Sequence, residues 1–268
     1  MTSSGNVNVL KVGGGAGVDH AAVMENLARR IKSGEKWVLV HGCSDATNKL
    51  TKEVGYEPKT ITSPGGHTSR YTDARTIELF SMAAAAVNQE LVSLLFSHAV
   101  QAVGLAGPNL IHAERKKAIR AIQNGRQIVI RDDYSGKIKG IYAGVLLTLL
   151  DGGFMPVVAP LAIGEEYERL NVDGDLVAAT IARALNANTF IIFSNVPGLL
   201  KDVEKPDSLI TGFRLGEIEK YEHYAAGRMK KKLLAAQDAQ AGVTILADSR
   251  VASPLDSALA GSGTHIVK

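Results

Sequence analysis

The sequence alternates between short apolar runs and longer segments with helical periodicity, and this alternation constrains the fold more than any other feature. The runs predicted as strands are 6–12, 37–40, 102–105, 155–158, 189–193, 244–246 and 264–267. The segments predicted as helices are 21–32, 46–54, 72–98, 144–151, 177–185, 229–241 and 255–260. Strands separated by helices are typical of a mainly parallel sheet covered on both faces. The sequence therefore predicts an α/β fold, a three-layer αβα sandwich.

Other local signals refine this outline. Segment 127–140 is predicted as a β-hairpin with its turn near 132–135. Asp19 is predicted to cap the helix over 21–32, because its carboxylate can accept from the first free N–H groups. No internal repeat or linker divides the 268 residues, so we expect a single domain.

Composition excludes several classes of protein. The single cysteine, Cys43, excludes an intrachain disulfide and any zinc site built from several cysteines, as in proteins of a reducing compartment. No run approaches the roughly 18 consecutive apolar residues of a membrane span. The first residues lack a signal-peptide pattern, and we expect a cytoplasmic protein without a membrane partner. A net charge of +3 is too small to indicate nucleic-acid binding but is compatible with an acidic partner.

Four polar or glycine-rich segments follow predicted strands. They are KVGGG from Lys11, HGCS from His41, NVDGD from Asn171 and SNVPG from Ser194. Because ligands of such sheets bind at the carboxyl ends of the strands, we expect the four segments to lie together. Alternatively, the glycines only make tight β-to-α turns. Neither a Walker loop nor a complete G-x-G-x-x-G fingerprint is present, which argues against the common nucleotide-binding loops but not against ATP.

Two lysines indicate the chemistry. Lys11 precedes three glycines, whose backbone N–H groups can approach an anion closely, and Lys232 ends the run GRMKKK from Gly227. Two ammonium groups on opposite sides of a phosphoryl group would neutralise the charge of its transfer. The pair therefore predicts phosphoryl transfer.

Five segments together resemble the amino acid kinase family in order and spacing. They are KVGG at Lys11, HG at His41, NVDGD at Asn171, SNVPGLL at Ser194 and GRMKKK at Gly227. The chain is most similar to the N-acetylglutamate kinase branch. Within it, SRYTD from Ser69 resembles kinases whose substrate amino acid is attached by its amino group to a small acidic carrier protein, LysW. The resemblance covers essentially the whole chain and implies the carbamate kinase-like form of the αβα fold.

The resemblance implies a division of labour. An N-terminal lobe (1–170) would bind the amino acid and carrier, and a C-terminal lobe (171–268) would bind ATP. Lys11 and Lys232 would neutralise the phosphates, and Asp175 would hold the two lysines in place; alternatively, Asp175 only caps a helix. Mg²⁺ would be held by the ATP phosphates and water, so no dedicated metal site is expected.

Backbone N–H groups are expected to stabilise the migrating charge. The residues that would supply them are Gly13, Gly14, Gly42 and Cys43. The family usually has glycine where Cys43 stands. A cysteine is strained there if the position needs a positive φ, and it could equally be a small buried filler. His41 is expected to end its strand with a structural hydrogen bond.

Two sets of residues are assigned to the ligands. Arg70 would bind the substrate carboxylate bidentately, unless it only pairs with Asp73. Asn171 would bind the other end of the substrate, and Tyr71 and His67 would line the carrier entrance or be structural. The resemblance assigns the nucleotide to Ser194, Asn195, Gly198, Leu199 and Lys201, with Leu199 packing against the base and Asn195 standing where the family usually has aspartate.

Two surface features indicate partners. The run from Glu114 to Arg120 carries four cations in ERKKAIR and would steer an acidic carrier, or is only a solvated face. The apolar segment 81–98 would form a homodimer, as is common in the family, or is buried within one subunit.

A kinase of free N-acetylglutamate and a non-catalytic amino-acid sensor remain alternatives. Glutamate or aminoadipate as the substrate side chain, and lysine, arginine or another end product, remain open.

Overall fold

An eight-stranded sheet passes through the centre of the molecule. The structure, a computed structural model, describes residues 7–15, 17–66, 68–123 and 125–268. Its strands are β1 (Val7–Val12), β2 (Lys36–His41), β3 (Thr60–Thr62), β4 (Thr68–Arg70), β5 (Ala102–Leu105), β6 (Ile111–Arg115), β7 (Ile119–Gln123), β8 (Arg126–Ile130), β9 (Gly136–Ile141), β10 (Met155–Val158), β11 (Leu161–Ile163), β12 (Arg169–Asn171), β13 (Thr189–Ser194), β14 (Gly212–Arg214), β15 (Val243–Asp248) and β16 (Thr264–Val267). The order in the large sheet is β14-β16-β15-β13-β1-β2-β10-β5.

The helices fall on both sides of this sheet. They are α1 (His20–Lys32), α2 (Ser44–Glu53), α3 (Ala74–Ser97), α4 (Ala143–Asp151), α5 (Gly174–Ala184), α6 (Arg228–Ala239) and α7 (Pro254–Leu259), with 3-10 turns at Pro206–Ser208, Leu215–Lys220 and Glu222–Tyr224. Side chains alternate along β1, so Val9 packs in the core beneath α4, α5 and α6 while Leu10 packs in the core beneath α1, α3 and α7. The predicted three-layer αβα sandwich is confirmed.

The centre of the sheet is parallel, as predicted. The strands from β15 through β13, β1, β2 and β10 to β5 all run in one direction. β16 is antiparallel to β15, and β14 is parallel to β16. The carboxyl ends of β1, β2 and β13 therefore meet at one edge, which brings together the loops that follow Val12, His41 and Ser194.

Two four-stranded sheets lie outside the large one, with the orders β12-β11-β6-β9 and β4-β3-β7-β8. The predicted hairpin over 127–140 is wrong, because β8 pairs with β7 and β9 pairs with β6. The buried carboxylate of Asp133 accepts hydrogen bonds from Thr72 N and Ser135 N, and this holds the chain as a crossover between the two sheets. The observed hairpin is formed by β7 and β8, with Gln123 paired to Arg126. The sequence between these two residues is Asn-Gly, which favours two-residue hairpin turns.

Helix α3 is long and apolar. Among the described residues, it is the one helix whose length and hydropathy would suit a membrane. In its most apolar window 44% is buried in the protein, and its buried side chains, among them Leu91 and Leu95, pack in the core beside the large sheet. A core helix of an α/β fold has the same composition, so this feature does not indicate a membrane protein.

Candidate active site

Three charged side chains meet at the carboxyl edge of the large sheet. Lys11 comes from the end of β1, Asp175 from the first turn of α5 and Lys232 from the first half of α6. Lys11 Nζ lies 2.7 Å from Asp175 Oδ1, and Lys232 Nζ donates to Asp175 Oδ2 at 3.0 Å. Each of the three side chains is 10% exposed. Residues far apart in the chain thus form one buried ionic cluster, in which a carboxylate lies between two ammonium groups.

The charges of this cluster depend on one another. Burial disfavours the charged form of Asp175, but the nearby charges of Lys11 and Lys232 outweigh it and hold the pKa of this carboxyl far below its usual value. Burial and the Lys11 charge lower the pKa of Lys232, against the opposing attraction of Asp175. With both lysines charged, the cluster carries one uncompensated positive charge, which suits an anionic ligand.

A second ion pair lies beside the first. Asp173 caps α5 through Oδ1, which accepts from Asp175 N and Leu176 N, while Oδ2 accepts from Lys231 Nζ at 2.9 Å. The cap of this helix is therefore Asp173, and the alternative role of Asp175 as the cap is wrong. Lys230, in contrast, is exposed. Neither Asp173 nor Lys231 was predicted to belong to the site, although an aspartate followed by Gly174 before an apolar run is a helix-start signal.

The two glycine loops touch through their backbones. A Cβ on Gly14 would lie 2.2 Å from Gly42 C, and a Cβ on Gly42 would lie 2.5 Å from Gly14 N. Only glycine fits at either position. Gly42 N donates to Val12 O, and Asp45 N donates to Gly14 O, so the loops are also joined by hydrogen bonds.

These contacts divide the four predicted N–H donors. In the part of the chain that the structure describes, the N–H groups of Gly13, Gly14 and Cys43 have no hydrogen-bond partner. The expected donor role of Gly42 is wrong, because its N–H is already used by Val12. Cys43 has φ of −140°, so a cysteine is not strained there. Its side chain is buried, and burial raises the pKa of the thiol to about 12.

Arg70 reaches the site from strand β4. Its Nη2 donates to Ser44 O at 3.1 Å and to Asn48 Oδ1 at 2.6 Å, at the start of α2. The alternative that Arg70 only pairs with Asp73 is wrong, since Asp73 instead caps α3 and accepts from the hydroxyl of Tyr56. Arg70 is half-buried beside the loop that carries Cys43.

Asn171 and Tyr71 are fixed by neighbouring side chains. Asn171, the last residue of β12, donates through Nδ2 to Thr72 Oγ1 at 3.0 Å. The hydroxyl of Tyr71 donates to Asp132 Oδ2 at 2.6 Å. Burial and this hydrogen bond raise the pKa of Tyr71. Tyr71 thus lies on the segment that leads from Arg70 into α3, and Asn171 contacts this segment at Thr72. His67 lies outside the described residues.

The residues assigned to the nucleotide separate into two groups. Ser194 ends β13 and accepts through its carbonyl from Ser249 N, while Asn195 and Lys201 are exposed. Gly198 and Leu199 are buried: a Cβ on Gly198 would lie 2.6 Å from Thr264 Oγ1, and Leu199, 1% exposed, donates from its N–H to that same hydroxyl. The expected packing of Leu199 against a base is therefore wrong, because its side chain belongs to the protein core.

The donor set suits phosphates better than a directly bound metal. Among the described residues, no group of three or more His, Cys, Asp or Glu side chains is placed to hold a metal ion. Asp175, the carboxylate at the centre, is already occupied by two lysines. The free N–H groups and ammonium groups instead suit the phosphates of a nucleotide.

Comparisons with known proteins agree with this geometry. The amino acid kinase family matches residues 6–245. A [LysW]-aminoadipate kinase of Deinococcus radiodurans is 42% identical over 267 residues, which cover 97% of this chain and 91% of that protein. A [LysW]-aminoadipate kinase of Thermus thermophilus is 39% identical over 266 residues, which cover 96% of this chain and 99% of that protein.

Solved structures share the fold at lower identity. Carbamate kinase of Giardia lamblia matches with a TM-score of 0.71 and 19% identity over 100% of both chains. N-acetylglutamate synthase of Neisseria gonorrhoeae matches with a TM-score of 0.79 and 20% identity, covering 98% of this chain but 59% of that longer one. From its motifs, its fold and these matches, the chain belongs to the amino acid kinase family.

Proposed function

We propose that this protein is an ATP-dependent kinase that phosphorylates the side-chain carboxylate of an aminoadipate or glutamate held by its amino group on a small acidic, LysW-type carrier protein. The observation that carries the proposal is the buried cluster of Lys11, Asp175 and Lys232 beside the free N–H groups of Gly14 and Cys43. The full-length similarity to kinases named for LysW-aminoadipate supports the choice of substrate.

The chemistry follows from charge and position. A carboxylate oxygen of the substrate attacks the γ-phosphorus of ATP in line, and the bond between this phosphorus and the β,γ-bridging oxygen breaks. The products are an acyl phosphate and ADP. The attacking carboxylate is already ionised, so no general base is needed. Lys11 and Lys232 neutralise the oxygens of the migrating group, and the N–H groups of Gly14 and Cys43 donate to them.

Each half of the molecule would hold one substrate. Residues 1–170 supply Arg70, whose planar guanidinium suits a carboxylate, and Asn171 lies at the boundary as the partner for the other end of the amino acid. Residues 171–268 supply Ser194, Asn195 and Lys201 around the nucleotide. Mg²⁺ would bind the ATP phosphates and partly neutralise their charge. We place this reaction in the cytoplasm, in the biosynthesis of lysine or arginine.

The corner between β6 and β7 is the proposed docking site for the carrier. Lys116, Lys117 and Arg120 are exposed, and none of them forms an ion pair with another described residue. The carboxylate of this run, Glu114, is paired with Lys139. The corner therefore presents three cations without a direct carboxylate partner, although Lys117 shares a surface pocket with Glu165, Glu166 and Glu168. Their positive charge would accelerate the approach of an acidic carrier.

We also propose a homodimer formed through α3. Its outward face carries Met82 (57% exposed) and Phe96 (58% exposed), with Ala85, Ala86, Gln89 and Ser93 exposed between them. The neighbouring strand β5 lies at the edge of the large sheet, and among the described strands it pairs with β10 alone. This face, with large apolar side chains at both ends and small or uncharged residues between them, lies beside an open sheet edge and suits the same face of a second copy.

The first experiments identify the acceptor of the phosphoryl group and measure the effect of removing each lysine. Acyl phosphate can be trapped as a hydroxamate with carrier-bound aminoadipate, carrier-bound glutamate and free N-acetylglutamate as substrates. Lys11→Ala and Lys232→Ala should each lower kcat by about 100- to 1,000-fold, with a much smaller change in KM, because each lysine acts on the migrating group. Near-normal kcat in either variant would disprove the charge clamp. Preference for free N-acetylglutamate would disprove the carrier substrate.

The second test concerns the carrier corner. Lys116→Glu combined with Lys117→Glu should reduce kcat/KM for the carrier-bound substrate at low salt and leave KM for ATP unchanged. Lys32→Glu, which reverses one exposed charge at the end of α1, controls for a general effect of charge reversal, and Lys116→Glu alone can be compared with it directly. Since the effect is electrostatic, it should shrink as salt is raised. Equal kinetics for the variant and the control would place docking elsewhere.

A further inference from the structure

His41 is a buried titratable residue that the proposed chemistry does not use. It is the last residue of β2, it is 0% exposed, and its backbone leads directly into the Gly42–Cys43 loop. Its ring has two polar neighbours. Nε2 lies 3.1 Å from Asn88 Nδ2 of helix α3, and Nδ1 lies 3.3 Å from the carbonyl oxygen of Gly42. A buried imidazole with two partners in opposite directions is held in one orientation.

The orientation of the Asn88 amide follows from its other contact. Asn88 Nδ2 also lies 2.9 Å from the carbonyl oxygen of Val157, which can only accept a hydrogen bond. The amide nitrogen, not the oxygen, must therefore face Val157. The same nitrogen has a second hydrogen, and that hydrogen is directed at His41. Strand β5 makes room for the amide oxygen, because a Cβ on Gly104 would lie 2.1 Å from Asn88 Oδ1.

These contacts determine where the imidazole carries its proton. Burial lowers the pKa of His41 to about 4, so the ring is neutral at physiological pH. A neutral imidazole has one donor and one acceptor nitrogen. Since Asn88 donates to Nε2, the acceptor is Nε2 and the hydrogen is on Nδ1. His41 Nδ1–H therefore donates to the Gly42 carbonyl.

The peptide between Gly42 and Cys43 carries this contact to the active site. In a trans peptide the C=O and the N–H point in opposite directions, and the chain has no cis peptide bond among the described residues. A hydrogen bond to the Gly42 carbonyl thus directs the Cys43 N–H away from His41. That N–H has no partner among the described residues, and a side chain on Gly14 would cover it, with a Cβ 2.3 Å from Cys43 N.

We propose that His41, held by Asn88, is a positioning residue that aims the Cys43 N–H at the migrating phosphoryl group. The proposal rests on the phosphoryl transfer proposed above and adds a residue that acts only through the peptide it orients. The His41–Asn88 contact also joins the Gly42–Cys43 loop, called the phosphate loop below, to α3, the helix of the proposed dimer face.

Two substitutions of His41 separate positioning from packing. In His41→Asn the side-chain Nδ2 can take the place of the imidazole Nδ1–H, although the smaller side chain leaves more empty space. In His41→Gln the volume is better preserved and Oε1 can accept from Asn88, but the donor to Gly42 is lost. We expect His41→Gln to lower kcat by roughly tenfold or more and His41→Asn to retain more of kcat, with KM for ATP little changed in both.

The position of the proton provides a readout that does not need turnover. In wild-type protein labelled with ¹⁵N-histidine, two-bond nitrogen–proton correlations should identify the Nδ1–H tautomer of His41, and Asn88→Asp should shift it to Nε2–H. An Nε2–H tautomer in the wild type would overturn the proposal. So would a lower kcat for His41→Asn than for His41→Gln, which is the order that packing alone would give. If the wild type lacks kinase activity, the proposed function fails instead, whatever the tautomer.

Discussion

At the scale of single residues, the site depends on charges that stabilise one another away from water. Asp175 lies between two buried ammonium groups at 2.7 and 3.0 Å. Each of these charges would be costly to bury alone. Removing one partner of such a pair destabilises the fold, because the remaining charge stays buried without a counter-charge. We therefore expect Asp175 to contribute both to catalysis and to the stability of the fold.

Asp175→Asn should lower both kcat and the free energy of unfolding, the latter by about 3–5 kcal/mol at neutral pH. Asp238→Asn, which breaks an exposed pair with Arg183, is the control and should cost at most about 1 kcal/mol. The low pKa of Asp175 in the folded protein sets the pH dependence. Its contribution is fully present above the ordinary carboxyl pKa of about 4 and is lost as pH falls towards the lower folded value.

Urea denaturation between pH 7 and pH 3 measures this difference. The gap in unfolding free energy between the wild type and Asp175→Asn should stay constant from pH 7 to about pH 5 and narrow below about pH 4. A gap that widens as the pH falls would contradict the assignment of a depressed pKa. A gap no larger than that of Asp238→Asn would show that the buried ion pairs contribute little.

The pair of Lys231 and Asp173 offers a second test at this scale. Asp173→Asn keeps an oxygen to cap α5 but loses the charge that holds Lys231. We expect Asp173→Asn and Lys231→Ala to lower kcat by similar amounts, because the pair fixes the start of α6 and thus the position of Lys232. Combining both should cost little more than either alone, since they remove one interaction.

Lys230→Ala is the matched control for this pair, because Lys230 is the exposed neighbour of Lys231 on the same helix. It should leave kcat within about twofold of the wild type, as expected of an exposed side chain that takes no part in a buried ion pair or in core packing. Steady-state kinetics with carrier-bound substrate give all four values. Additive losses in the double variant would mean that Lys231 and Asp173 act independently.

At the scale of secondary structure, α6 depends on an unusual backbone at its start. Gly227 precedes the helix with φ of 52° and ψ of −117°, a conformation that residues with a side chain rarely adopt. A Cβ at this position would meet no atom within 4 Å, so the cost of a substitution lies in the backbone alone. The direction in which α6 presents Lys231 and Lys232 is therefore determined at Gly227.

Gly227→Ala should destabilise the protein by about 1–3 kcal/mol and lower kcat, because relief of the strain moves the start of α6. Gly144→Ala is the control, since Gly144 also has open space around it but lies within helix α4. That change should stabilise the protein by roughly 0.5–1 kcal/mol. Thermal unfolding and kinetics of both variants measure the contrast. Equal effects would show that the backbone at Gly227 is not strained by a side chain.

Helices and strands were predicted correctly where their apolar pattern extends over many residues, and they were missed where it is short. The buried strands β1, β2 and β13 and the long helix α3 were predicted nearly to their ends, because long periodic segments are unambiguous. The three-residue strands β11, β12 and β14 were missed, since so few residues show no periodicity. The hairpin error arose because the Asn-Gly signal before Arg126 was overlooked.

The predicted sheet indicated that the segments after Lys11, Asn171 and Ser194 would meet, whereas the roles of Asp175 and Lys232 were predicted from the resemblance to the family. Lys11, Asp175 and Lys232 come together because strand ends and helix starts meet at one edge. Contacts that depend on how distant segments pack in three dimensions were not predictable from the sequence. The sequence contains no sign that Gly42 N–H would be used by Val12, that Leu199 would face the core, or that Lys231 would reach Asp173.

At the scale of the whole molecule, the active site and the proposed dimer face share helix α3. Its inner side holds Asn88 against His41, and its first turn follows Thr72, which contacts Asn171. Its outer side exposes Met82 and Phe96. A partner packed on the outer side would therefore restrain the same helix that supports the phosphate loop and the substrate segment. Dimer formation and activity should then change together.

Met82→Glu combined with Phe96→Glu tests this arrangement, because two buried carboxylates would oppose association. The wild type should have about twice the 28.4 kDa mass of one chain by light scattering, and the double variant should be monomeric with reduced kcat. Val203→Glu replaces a side chain that is 68% exposed far from α3 in the chain, and should remain dimeric. A monomeric wild type would disprove the dimer. A monomeric variant with full activity would show that α3 supports the site without help from a partner.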